Sequence, residues 1–105
     1  MPREAKTYEE ALSEVINRLE MLILSKHYDY GSKNLLRFKE LGILVRASDK
    51  IERLLHLIEP GISPQIPEET MRDTWLDLAG YAVQGLMMYD QTYSLPTQKD
   101  LEARE

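Results

Sequence analysis

The sequence predicts an all-α protein, a small helical bundle of three main helices plus a short one. Three observations carry that prediction. The 105 residues suit one domain (core about 8–90) of three or four helices. Apolar residues recur at three- and four-residue spacing in three separate stretches. Helix-start and helix-stop residues bracket those stretches.

Thr7 with Glu10 three residues later is a capping-box pattern. Leu12, Val15, Ile16, Leu19 and Ile23 follow at helical spacing, so the first helix is expected from about Tyr8 to Ser25. Lys26 to Asn34 then reads as an irregular connector, dense in aromatic, charged and amide residues, in which Gly31 permits a positive φ. A short helix is expected from Leu35 to Leu41, ending near Gly42. The second main helix, Ile43 to Ile58, collects Leu44, Ala47, Ile51, Leu54, Leu55 and Ile58 on one side, the expected core face. Arg46, Asp49, Glu52, Arg53 and His56 fall opposite. Glu59-Pro60-Gly61 ends this helix.

Pro67 and Glu68-Glu69 suit the start of a third helix reaching Tyr89. Met71, Trp75, Leu78, Ala79, Ala82 and Leu86 form its expected core face. Glu69, Asp73 and Asp77, at i, i+4 and i+8, lie on another face that Gly80 and Gln84 continue. Leu95 to Glu105 reads as a polar tail that frays or forms a loose turn.

Composition excludes several classes. A formal net charge of −5 argues against a protein that grips duplex DNA by its phosphates. No apolar run reaches the roughly 18 residues of a membrane span. Met1-Pro2-Arg3-Glu4 lacks the apolar core of a signal peptide. With no cysteine there is neither a disulfide framework nor a thiol nucleophile, and a reducing, cytoplasmic setting is expected.

The acidic stripe of the third helix spans roughly 12 Å at 1.5 Å rise per residue. Such a stripe can be solvated, can be matched by Arg46 and Arg53 across a helix interface, or can hold a hard cation. Asp49 and Glu52 would join it if the second and third helices pack antiparallel. Leu76, Val83 and Met87 flank the stripe, and carboxylates beside apolar residues suggest a cleft.

Three motifs occur in order: Lys26-x-x-Asp29-Tyr30-Gly31 with Asn34, Gly42-Ile43-Leu44-Val45-Arg46-x-x-Asp49-Lys50-x-x-Arg53-Leu54, and Glu69-x-x-x-Asp73-Thr74-x-x-Asp77-Leu78-Ala79-Gly80-Tyr81-Ala82. Together they resemble the nucleotide modification associated domain family, small proteins common in phage genomes, over about Tyr8 to Met88. The resemblance implies a role in nucleotide metabolism or DNA base modification, in the cytoplasm of a bacterial host.

More distantly, the chain is similar to the MazG-like all-α nucleoside triphosphate pyrophosphatases. Those use E-x-x-E on one helix and E-x-x-D on a later one to hold Mg²⁺. Asp49-x-x-Glu52 would stand for the first pair, and Glu69, Asp73 and Asp77 for the second at a different spacing. By that likeness Asp49, Glu52, Glu69, Asp73 and Asp77 would hold one or two Mg²⁺, and Glu52 and Asp73 are the catalytic candidates. Lys26, Lys33, Arg46 and Arg53 would neutralise phosphate charge. Asp29, Tyr28, Tyr30 and Asn34 would contact the rest of the nucleotide. A homo-oligomer is expected, since small helical hydrolases often need a partner chain to complete the cleft. Two other readings stand beside hydrolysis: a non-catalytic nucleotide binder that uses the acids to fix its arginines, and a helical protein-interaction module.

Overall fold

A computed structural model describes residues 4–31, 38–59 and 68–104; for residues 30 and 68–70 the backbone alone is described. Among these residues there are four helices and no strand: α1 (Tyr8–Tyr30), α2 (Lys39–Ile58), α3 (Glu68–Tyr89) and α4 (Gln98–Ala103). The all-α class holds. No helix among the described residues is long and apolar enough to cross a membrane. The chain divides into two units, Met1–Gly31 and Ser32–Glu105.

The first unit contains α1. Extended Thr7 caps it, its hydroxyl accepting from the Glu10 N–H at 3.1 Å. The Glu10 carboxylate accepts from the Lys6 N–H at 3.0 Å, one residue earlier than the reciprocal bond of a full capping box. The helix continues past the expected end at Ser25, so Lys26 to Tyr30 are helical rather than irregular. It stops at Gly31, whose φ of 70° and ψ of −172° lie in a region essentially reserved for glycine. Leu19 is buried, whereas Leu12, Val15 and Ile16 are exposed.

The second unit is built on an α2–α3 pair. The helices run antiparallel: Ile43 lies beside Gly85, and Lys50 beside Asp77, so residue numbers rise on one helix as they fall on the other. Helix α2 passes straight through Gly42, where a stop was expected. A Cβ at Gly42 would sit 2.8 Å from the Phe38 Cβ, so glycine there permits close packing against the preceding turn. Residues 35–37 of the expected short helix lie outside the described residues.

The inward face of α2 is Ile43, Leu54 and Leu57, with Lys50 half-buried among them and Ala47 half-buried at the edge of this face. Of the expected face, Leu54 is buried and Ala47 half-buried, and the rest is corrected. Leu44, Ile51, Leu55 and Ile58 are instead exposed, because the buried stripe lies one residue, or about 100°, around the helix. The expected core face of α3 is corrected likewise. Trp75 and Leu86 are exposed, while Thr74, Leu76 and Gly80 are buried. Helix α3 faces α2 with Asp77 and Gly85, which lie beside Lys50 and Ile43.

Gly85 permits a direct prediction. A Cβ there would meet only the Ile43 Cγ2 at 3.9 Å, an ordinary contact. Gly85→Ala is expected to stabilise the fold by about 0.5–1 kcal/mol in urea melts, since alanine loses less backbone entropy in a helix. Gly42→Ala should forfeit that gain through its clash with Phe38.

Beyond Tyr89 the chain turns through Gln91, whose φ is 61°. The Thr92 N–H donates to Met87 O at 2.8 Å and the Gln91 N–H to Met88 O at 3.0 Å. These two bonds make a Schellman motif with glutamine in the left-handed position. The turn delivers Tyr93 onto Ile43, where Tyr81, Met87 and Met88 complete a small core. Burial raises the Tyr93 phenol above its usual pKa of 10.0, and the nearby Arg46 charge opposes that shift. The expected loose tail is also corrected. Thr97 and Asp100 form a reciprocal capping box, with bonds of 2.9 and 3.1 Å, that starts α4.

Candidate functional site

Arg46, Asp49, Lys50 and Arg53 occupy positions i, i+3, i+4 and i+7 on α2, so one face of the helix carries all four. With Tyr81 of α3 they line an open pocket of about 340 Å³. Of the five described lining residues, three are cationic. The Lys50 Nζ lies 3.1 Å from the Asp77 Oδ2, with the two side chains 27% and 18% exposed. That exposure is low enough for the pair to resist screening, yet it leaves Lys50 at the pocket wall. Arg46 is half-buried and Arg53 exposed, and they lie one turn before and one turn after the paired Lys50 on α2. Gln84, half-buried on the same α3 stripe, turns its amide back to Gly80 O at 3.1 Å.

The expected residues separate into groups. Arg46, Asp49 and Arg53 come together in the pocket, and Asp77 stands behind it on Lys50. Glu52 and Asp73 are exposed. Lys26, Tyr28 and Asp29 are exposed on the last turns of α1. Lys33 and Asn34 lie outside the described residues, as do the side chains of Tyr30 and Glu69. Among the described residues no three His, Asp or Glu side chains converge as a metal-ligand group. Of the three uses open to the acidic stripe, the interhelical ion pair is the one seen at Asp77, with Lys50 as its partner.

Two lining residues, Lys50 and Tyr81, are not marked as site residues by the sequence. Lys50 was legible as the fourth residue after Arg46 and the third before Arg53. Tyr81 lies four residues after Asp77 and needed the pairing register of the two helices to be placed.

Compared with protein-family models, curated proteins and solved structures, the chain gives no match.

Proposed function

We propose that the protein binds a phosphate-bearing nucleotide in the α2–α3 pocket, as part of nucleotide metabolism or DNA base modification. The observation that carries this reading is the gathering of Arg46, Lys50 and Arg53 around one pocket with Tyr81. The planar forks of Arg46 and Arg53 suit bidentate contact with phosphate oxygens, and Lys50 adds a point charge. Tyr81 offers an aromatic face and a hydroxyl to the base or sugar. Asp49 is placed to accept from a sugar hydroxyl or to hold Arg53, its i+4 neighbour. The volume falls within the range of small-ligand sites. The choice of a nucleotide among phosphate-bearing ligands comes from the motif resemblance.

Hydrolysis to monophosphate and pyrophosphate is the stronger form of the proposal, favoured by Asp49 in the pocket lining. Mg²⁺ bound there would polarise a phosphate and activate water. Binding, as proposed, rests on the cations, and Mg²⁺ enters as an experimental variable. Nucleoside mono- and triphosphates should be titrated calorimetrically with and without Mg²⁺, and the mixtures then resolved by anion exchange. Binding without metal is the expected result, and metal-dependent monophosphate would add the hydrolase. If no nucleotide binds under either condition, the proposal fails and a protein-interaction role takes its place.

A further inference from the structure

The outer side of α2 carries an apolar stripe, Leu44, Ile51, Leu55 and Ile58, which are 65, 46, 56 and 60% exposed. Ala47 and Ser48 complete it, and no charged residue interrupts it. Leu44 and Arg53 are nine residues apart, as are Arg46 and Leu55, so each pair is separated by about 180° around the helix. The stripe therefore lies on the flank of α2 away from the cationic pocket.

Its pattern has a centre. Leu44 and Ile58 each lie seven residues from Ile51, and Ala47 and Leu55 each lie four. A second α2 laid antiparallel across Ile51 would set Leu44 against Ile58 and large Leu55 against small Ala47. Such a surface is complementary to its own copy, the requirement of a two-fold interface. The stripe amounts to roughly 500 Å² of apolar surface, at the upper end of what a monomer leaves bare. A standard interface buries ~800 Å² per partner, so the stripe would supply more than half of it.

We infer that two copies of this chain associate through this stripe, the two α2 helices crossing antiparallel at Ile51. The pockets of the two copies then remain open on the far flanks, and the inference stands independently of what they bind.

The chain has no cysteine, which makes the geometry directly testable. Sedimentation equilibrium should return twice the 12.2 kDa chain mass. Under mild oxidation Ile51→Cys should cross-link to itself. Leu44→Cys should cross-link with Ile58→Cys and not with itself. Ile51→Asp should raise the dimer dissociation constant roughly 100-fold by placing two charges at the axis, while leaving nucleotide affinity unchanged. A monomer at all concentrations would overturn the inference, whether its Ile51→Cys thiol is reactive or is shielded by another part of the same chain. An Ile51→Cys variant that stays dimeric but does not cross-link would overturn it equally. Loss of nucleotide binding in the wild-type dimer would instead defeat the pocket proposal and leave the interface intact.

Discussion

Arg53→Ala is expected to weaken nucleoside triphosphate binding by about 10- to 150-fold, and Arg46→Ala by a similar factor. A hydrogen bond to a charged group is worth about 1.5–3 kcal/mol, and each 1.4 kcal/mol is tenfold in affinity. The double variant should lose more than either single one but less than their product, because both groups act on one ligand. Lysine at either position should recover part of the loss, since it restores the charge without the planar fork. Arg53 is exposed, so its removal should move the urea midpoint little. Calorimetric titration at two salt concentrations checks the charge contribution, which should shrink as salt rises. Affinity unchanged in both alanine variants would remove the guanidinium groups from the site.

Asp77→Asn should move stability and binding in opposite directions. The substitution leaves Lys50 without its 3.1 Å carboxylate partner in a partly buried seam. The pair is less exposed than a surface bridge and less sequestered than a core one, so the loss should be about 1–2 kcal/mol. The same change adds one net positive charge beside Arg46 and Arg53. Anion affinity should therefore rise by about 3- to 10-fold, the effect of roughly 1 kcal/mol of added attraction. A metal-dependent hydrolase using Asp77 as a ligand predicts the reverse, with Mg²⁺-dependent turnover falling steeply. Urea melts and nucleotide titrations on this one variant thus separate the carboxylate's two roles.

The helix ends were more legible than the helix faces. Thr7 marks a start that the structure reproduces, because capping preferences act within one turn. The end of α1 is hidden in the sequence since His27, Tyr28 and Asp29 are weak helix formers, and the actual stop is Gly31. The faces failed for a different reason. Helix α2 carries two apolar stripes one residue apart, Ile43-Leu54-Leu57 and Leu44-Ile51-Leu55-Ile58, and periodicity cannot choose between them. Its partner α3 turns inward Thr74, Asp77 and Gly80, which a rule seeking the most apolar stripe rejects. Arg46, Asp49 and Arg53 could be grouped by spacing within one helix. Lys50 shares that spacing, whereas Tyr81 joined them only once the antiparallel register was known.

Tyr93 gives the C-terminal segment an importance that its polar sequence conceals. It is 6% exposed, whereas Leu95 and Leu101 beyond it are 63% and 43% exposed. Among the described residues after α3, Tyr93 is therefore the buried anchor, and those beyond it are exposed or half-buried. Residues 94–104 are open to a protease, because loosely packed segments open at low free-energy cost. Cuts beyond Tyr93 would spare the anchor, but release of Tyr93 itself would uncover Ile43 and strip the ring from beside Arg46. Release of Tyr93 would thus disturb a pocket arginine while both long helices of the pair were still wound.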